Sequence, residues 1–296
     1  MIRAYYNEIS PFACEWLREL MKDGLISEGD IDERSITEVD PQDLRGYTRL
    51  HFFAGVGGWD YALQLAGWDD SQDGTCWTGS CPCEPFSVAG KGEGFKDERH
   101  LFPVWLRLIQ ECRPRVIFGE EVENAIKHGW LDLVFGELER YGYACGAASF
   151  PACSVGAPHQ RQRLYFVGEV GDPDDLGRFG YGNGAGADAK GQAASKDYKP
   201  PVSAFWDDVA FVECRGGKRR PIPVEPRILG LVDGIPGRVG RGGKTDRSPL
   251  CFGTPNRAQR LRGYGNAIVP QAAAAFVRAY MGTRRAENCT NSFNAL

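Results

Sequence analysis

The sequence predicts an α/β fold on an open, largely parallel sheet, and three observations carry that expectation. Short apolar strands alternate with amphipathic helices along roughly the first 170 residues, the pattern of repeated strand-helix units. Thr48 to Phe53 reads as a compact strand that runs through Ala54-Gly55-Val56-Gly57-Gly58 into a helix bearing Tyr61, Ala62, Leu65 and Ala66. Glycines at such a junction permit positive φ and close approach of a ligand, while the helix start offers backbone N–H groups without helical partners. The third observation is size: 296 residues, 42% of them hydrophobic, suffice for one large domain or one large and one small.

In chain order, Arg3 to Asn7 reads as a short strand, and Ser10-Pro11 start a helix with Phe12, Ala13, Trp16, Leu17, Leu20 and Met21 at helical spacing, ended by Gly24. Glu8 lies at the strand-to-helix junction. The ordinary role there is a surface acid near a positive helix end; the functional one is to hold a ribose diol, because ligands of open α/β sheets sit outside the carboxyl ends of strands. Glu28 to Val39 is a short strand-like segment with acids.

Gly79 to Ser87, GSCPCEPFS, sets a thiol between two prolines after an expected strand. A lone intracellular cysteine is ordinarily a small buried hydrophobe. Here Pro82 and Pro85 stiffen the loop and present Cys83, as suits a nucleophile, while Glu84 beside it opposes thiolate formation. Gly90 to Phe102 is polar and glycine-bearing, a segment suited to closing over a substrate, and a helix follows from Pro103 to about Cys112. Arg115 to Gly119 reads as a buried strand with Glu120-Glu121-Val122 at its carboxyl end; two acids at a solvated helix start is the alternative, and Glu123-Asn124-Ala125 is a competing register. A helix at Trp130 to Tyr141, a strand at Tyr143 to Phe150 and a strand at Leu164 to Val167 complete this part. Arg161 and Arg163 alternate just before the last strand and share a face if the segment is extended, as a surface ion-pair network or as ligands of an anion.

Residues 171–199 are rich in Gly, Ala and Asp without periodicity, a linker or loop. Phe205 to Pro223 reads as a hairpin turned at Gly216-Gly217, with Lys218, Arg219 and Arg220 on its return. Gly265-Asn266-Ala267-Ile268-Val269-Pro270 opens a last helix through about Met281, and the residues after Arg284 are expected to be disordered.

The net charge of −4 is unevenly divided. Phe211 to Arg262 holds twelve Lys/Arg against four acids, +8, which leaves −12 elsewhere. Mixed with Gly and Pro, this segment is suited to a phosphate backbone. The chain lacks an apolar run of about 18 residues and a secretory pattern at MIRAYYNEIS, so a cytoplasmic protein without membrane contact is expected. Ten dispersed cysteines fit free thiols in a reducing compartment, and no metal is expected.

Pro82-Cys83-Glu84-Pro85-Phe86-Ser87 resembles the Pro-Cys-Gln-x-Phe-Ser motif of the DNA (cytosine-5)-methyltransferases, with Glu84 where glutamine is usual. Phe53-Ala54-Gly55-Val56-Gly57-Gly58 is similar to the family's first motif, Asn7-Glu8-Ile9 to the second, and Glu28 to Val39 loosely to the third, with Asp30, Asp32 and Ser35 competing for the adenine-contacting place. Asp97 and Arg99 resemble the fifth motif, Glu120-Glu121-Val122 the family's Glu-Asn-Val, His159-Gln160-Arg161-Gln162-Arg163 its Gln-x-Arg-x-Arg, and Gly265-Asn266 the tenth motif. The order is unusual, because the second and third motifs precede the first. Only 14 residues, Trp68 to Cys81, lie between the first-motif helix and Pro82, too few for two strand-helix units. The missing strands are therefore expected from the N-terminus.

The resemblance implies a Rossmann-like, S-adenosylmethionine-dependent methyltransferase fold of phage- or prophage-like kind, with residues 1–170 as catalytic and cofactor domain, 171–262 as a small target-recognition region, 263–284 as a returning helix and 285–296 as a tail. It implies methyl transfer from S-adenosyl-L-methionine to carbon 5 of cytosine in double-stranded DNA, with base flipping and a covalent Cys83 adduct, Glu120 acting on ring nitrogen 3 and Arg161 and Arg163 holding the base. Cofactor contacts fall on Phe53, Ala54, Gly55, Val56, Gly57, Gly58, Glu8, Ile9, Asp32, Ser35, Pro82, Leu101, Asn266 and Ala267, and DNA contacts on Ser87, Lys218, Arg219 and Arg220. A monomer is expected, and a companion restriction endonuclease is admitted as a partner. Two rival readings are a different one-carbon donor and a non-enzymatic DNA-binding relic.

Overall fold

The computed structural model describes residues 3–81, 101–123, 126, 129–157, 160–170, 209–213, 219–223 and 267–294. The chain begins with β1 (Ala4–Asn7), α1 (Pro11–Lys22), β2 (Gly29–Asp32), two 3-10 turns (Ile36–Glu38 and Pro41–Leu44) and β3 (Arg49–Phe52). There follow α2 (Gly58–Ala66), α3 (Asp70–Asp73), β4 (Cys76–Gly79), α4 (Phe102–Cys112) and β5 (Val116–Val122). Then come α5 (Trp130–Arg140), β6 (Tyr143–Pro151), a 3-10 turn (Ala152–Val155), β7 (Gln162–Val170), the pair β8 (Val209–Glu213) and β9 (Arg219–Pro223), and α6 (Pro270–Asn294).

β1 to β7 form one sheet in the order β2-β1-β3-β4-β5-β7-β6. The first five are parallel, whereas β7 runs antiparallel to both neighbours. Counted from the glycine-loop strand β3 as first, this is the order 3-2-1-4-5-7-6, a doubly wound sheet extended at one edge by an antiparallel strand. The fold is therefore Rossmann-like, and the N-terminus does supply the two strands beside the glycine loop: Asn7 pairs with Phe52 and Asn7 with Asp32.

Register assigns the faces. Ala4, Tyr6, Arg49, His51, Cys76, Thr78, Val116 and Phe118 share one face. On it, Trp16, Leu17 and Leu20 of α1 pack against Ala4 and Tyr6, while Trp59, Ala62 and Leu63 of α2 and Ala272, Ala273 and Val277 of α6 pack against Cys76, Val116 and Phe118. Tyr5, Leu50, Phe52, Trp77 and Ile117 share the other face with Trp105 and Ile109 of α4 and Trp130 and Val134 of α5.

This arrangement fixes the relative hand of the crossovers. β1-α1-β2 steps toward the β2 edge with its helix on the first face, and β4-α4-β5 steps the opposite way with its helix on the second, so the two have the same hand. β3-α2-β4 steps in the same direction as β4-α4-β5 but keeps its helix on the first face. Its hand is opposite, against the strong general preference for one hand. The reordered chain leaves α2 on its face and reroutes the strand that follows.

Several boundaries differ from the sequence expectation. β2 stops at Asp32 because Ser35 and Asp40 each nucleate a 3-10 turn with a reciprocal capping box. β5 continues through Glu120 and Glu121 to Val122, since β7 pairs with it as far as Arg163. The last helix does not end near Met281 but reaches Asn294, into the stretch expected to be disordered. Among the described residues, no helix is long and apolar enough to cross a membrane.

Candidate active site

β1 and β3 end side by side, and the chain leaves β3 through backbone that only a few residues adopt readily. Phe53 has φ 53°, Gly55 56° and Gly57 75°, all left-handed. The Glu8 carboxylate spans this turn: Oε2 accepts from Gly55 N at 2.8 Å and Oε1 from Ser10 N at 2.8 Å. Glu8 thus braces the glycine loop to the start of α1, and a carboxylate with about four acceptor positions keeps capacity for a ligand. A Cβ on Gly55 would meet only Phe53 O, at 4.0 Å, and Ile9 is 67% exposed at the same edge. Ala54 and Val56 pack into the α1 cluster and Phe53 into the α4 side. At Gly58 an added Cβ would lie 2.8 Å from Ile268 Cγ1, so the segment before α6 closes directly on the loop.

Of the three competing residues near β2, Asp32 and Ser35 lie at its carboxyl end. Asp32 accepts from Tyr5 Oη at 2.7 Å and from Arg34 Nη2 at 2.6 Å. Burial pulls its carboxyl up, but the hydrogen bonds from Arg34 and Tyr5 outweigh burial and hold it below the usual range. Ser35 Oγ caps the following turn by accepting from Thr37 N. Asp30 lies two residues back, paired with Arg3 and Tyr47.

Glu120 and Arg163 form the second center. Glu120 is 7% exposed, and its Oε1 lies 2.8 Å from Arg163 Nε, an ion-pair distance without the alignment of a full hydrogen bond. Burial raises the Glu120 carboxyl, and the charges of Arg163 and Arg161, with the nearby Arg163 and Ser80 donors, only partly offset it. Arg161 and Arg163 do not alternate along one extended segment. Arg161 has φ 36°, just before β7, and its Nη2 donates to Ala267 O at 2.5 Å; burial lowers its guanidinium pKa. The backbone turn thus sends Arg161 to the segment before α6 while Arg163 reaches Glu120. Glu121, on the other face, is 2% exposed, and its Oε2 accepts from Val122 N at 2.7 Å. Burial and the Glu121 charge push the neighboring Cys81 thiol far up, which makes it a poor nucleophile.

The strand ends beneath this center are shaped by two glycines in register. A Cβ on Gly79 would meet Trp105 at 2.6 Å, and one on Gly119 would meet Phe166 at 2.0 Å, so aromatic rings fill both positions. Leu101, at the cap of α4, packs on the same cluster. Pro82, Cys83, Ser87, Asp97, Arg99, His159, Lys218 and Asn266 lie outside the described residues. Arg219 and Arg220 begin β9, opposite Glu213 and Val212 of β8.

Sequence reasoning missed a buried polar group under the loop. Asp60 of α2 accepts from Ser27 N at 2.6 Å and Gln64 Nε2 at 2.9 Å, lies 3.2 Å from His51 Nε2 and 3.5 Å from Arg49 Nη1, and His51 Nδ1 meets Thr78 Oγ1 at 2.8 Å. Arg49 and His51 alternating in an otherwise apolar strand were the available signal. Trp59 and Ser80, joined by a 3.1 Å hydrogen bond from Trp59 Nε1 to Ser80 Oγ, were also missed.

Residues 71–176 match the family described as C-5 cytosine-specific DNA methylase, a stretch that contains Cys83, Glu120, Arg161 and Arg163. Over this stretch, about a third of its length, the chain is similar to the DNA (cytosine-5)-methyltransferases. Among relatives, it is 27% identical over 169 residues to the type II methyltransferase M.HhaI of Haemophilus parahaemolyticus, covering 44% of this chain and 51% of that protein. It is 40% identical over 93 residues to the type II methyltransferase M.Bsp6I of Bacillus sp. strain RFL6, covering 29% of this chain and 30% of that protein. A solved structure of a Spodoptera frugiperda DNMT2 mutant is similar at 16% identity and a TM-score of 0.38, covering 56% of this chain and 41% of the other. The chain thus spans about half of M.HhaI and less than a third of M.Bsp6I.

Proposed function

We propose that the protein transfers a methyl group from S-adenosyl-L-methionine to carbon 5 of cytosine in double-stranded DNA, with the target base flipped out and bound covalently to Cys83. The observation that carries this reading is the buried Glu120–Arg163 pair at the carboxyl edge of the sheet, one strand from β4, which leads toward Cys83. The glycine loop fits the cofactor: Glu8 keeps acceptor capacity for a ribose diol, Ile9 offers an exposed apolar surface for adenine, and Gly55 leaves room for close approach. Phe53, Ala54, Val56, Gly57, Gly58, Asp32, Ser35, Pro82, Leu101, Asn266 and Ala267 complete the set proposed to hold it. When bound, the cofactor supplies the methyl group.

The chain's own residues do the activation. Carbon 6 of cytosine is out of reach inside a base stack, so the base must leave the duplex. Cys83 adds to carbon 6 as the thiolate. Glu120, biased toward its protonated form by burial, gives its proton to ring nitrogen 3 and leaves carbon 5 nucleophilic. Arg163 holds the Glu120 carboxyl, and Arg161 secures the adjoining turn. Loss of the carbon-5 proton and of the thiol restores the ring. Ser87 and the basic segment with Lys218, Arg219 and Arg220 would contact DNA. On this reading the protein works as a cytoplasmic monomer, with a companion restriction endonuclease as a further partner.

The test is a trapped adduct. DNA carrying 5-fluorocytosine cannot lose its carbon-5 substituent, so with S-adenosylmethionine it should yield a complex that survives denaturation with the parent protein and not with Cys83→Ser. A parent that never traps, or a Cys83→Ser protein that still does, refutes the proposed chemistry.

A further inference from the structure

We propose that Ser80 is a positioning residue for the reaction: its hydroxyl donates to the Glu120 carboxylate, and the Trp59 indole fixes the sense of that donation. The inference rests on Glu120 being the acid of the proposed methyl transfer. Ser80 and Glu120 directly follow Gly79 and Gly119, which are register partners on adjacent parallel strands, so the two side chains emerge next to each other on the face of Thr78 and Phe118. Trp59 approaches from α2 and donates its Nε1–H to Ser80 Oγ at 3.1 Å. An indole nitrogen only donates, whereas a hydroxyl has one proton and two acceptor pairs. With one acceptor pair used by Trp59, the Ser80 proton is directed to the carboxylate at its side.

Trp59 is held in that role. It is 4% exposed, its ring stacks on Phe118 with centroids 6.1 Å apart, and it meets Tyr165 edge-on at 6.3 Å. Glu120 thus sits between the Ser80 side chain, its neighbor by register just past β4, and the Arg163 guanidinium from β7. Burial favors the protonated acid, and the two donors favor the ionized form that must exist once the proton has moved to the base. Without Ser80, Glu120 would keep its proton too firmly. The same chain of contacts joins the acid to the helix that opens at Gly58, next to the glycine loop.

The experiment is a carbon-13 titration of the Glu120 carboxyl in the cofactor-free protein, its signal assigned by Glu120→Gln, combined with the pH profile of kcat. Ser80→Ala should raise the Glu120 pKa by about one unit, a tenfold gain in proton affinity. Trp59→Phe should raise it by less and add nothing in the Ser80→Ala background, and Ser80→Thr should keep the parent value. The alkaline limb of kcat should move up with the Ser80→Ala titration. An unmoved titration, a full additive effect of Trp59→Phe, or a moved titration with an unmoved alkaline limb each overturns the proposal. Absence of methyl transfer by the parent would instead overturn the proposed function, while the titration would still judge the Ser80 contact.

Discussion

His51 Nε2 lies 3.2 Å from Asp60 Oδ1, and both side chains are buried between β3 and α2. Arg49 joins them at 3.5 Å, and the Ser27 backbone ties the same carboxylate to the loop before β2. These contacts hold α2 on the face it shares with α1 and α6, the placement that gives β3-α2-β4 its opposite hand. Removing one partner of a buried ion pair strands the other, so Asp60→Ala should cost about 3–5 kcal/mol in a denaturant melt. A cost below about 1 kcal/mol would mean that apolar packing alone holds α2.

The same carboxyl gives a pH signature. Burial would raise the Asp60 pKa, but the His51 hydrogen bond and charge, the Ser27 N–H and Arg49 lower it to about 2 from an ordinary 3.8. The stabilization is therefore complete above about pH 4 and is lost as pH falls through about 2. Asp60→Asn should flatten that part of the acid-unfolding curve; an unchanged curve would count against the low pKa.

Much of this architecture was legible before any coordinates. The helical spacing of Trp16, Leu17 and Leu20, the glycine run after Phe53 and the 14-residue gap before Pro82 together imply the N-terminal origin of β1 and β2. What could not be read depends on partners far apart in the chain. Asp60 in a helix looks like a first-turn acid until Arg49 and His51 are brought under it, and Ser80 is an ordinary small residue until β4 and β5 align. The alternation of Arg161 and Arg163 did not show that one positive φ, invisible in sequence, turns the first arginine onto Ala267 O while its charge still acts on Glu120.

The Glu120–Arg163 pair should respond as a unit. Arg163→Ala leaves the buried carboxyl without its nearest countercharge, which should cost roughly 3 kcal/mol, while the same change in a Glu120→Gln background should cost less than half as much. Because burial already raises the folded pKa of Glu120 above its ordinary 4.5, its contribution to stability is full below that value and is lost as pH rises through the folded pKa. Stability of the parent should therefore gain as pH falls from neutrality toward 4.5, and Glu120→Gln should remove that gain. Additive single-mutant costs in thermal melts would deny the coupling.

Charge removal from the β8-β9 segment tests where DNA lies. Lys218, Arg219 and Arg220 changed together to Ala should weaken DNA binding and reduce the slope of log affinity against log salt by up to about three phosphate contacts. Turnover on saturating DNA should change less. An unaltered slope in a salt series would move the DNA-facing surface to another part of the +8 segment.

The last prediction concerns Glu8, whose carboxylate already serves the glycine loop by accepting from Gly55 N and Ser10 N. If it also holds the ribose diol, Glu8→Ala should raise the dissociation constant for S-adenosylmethionine roughly ten- to a hundredfold, the loss expected for about 1.5 to 3 kcal/mol of charge-assisted hydrogen bonding. A loosened loop would weaken binding too, so the cofactor must be varied as well as the protein. An analogue lacking the ribose hydroxyls should bind the parent more weakly than S-adenosylmethionine does, and in Glu8→Ala that difference should shrink toward zero, because the two changes delete the same contact. DNA binding without cofactor should be spared. Calorimetry in which the analogue penalty is as large in Glu8→Ala as in the parent would leave Glu8 a brace of the loop only, with the diol bound by another group at the carboxyl edge.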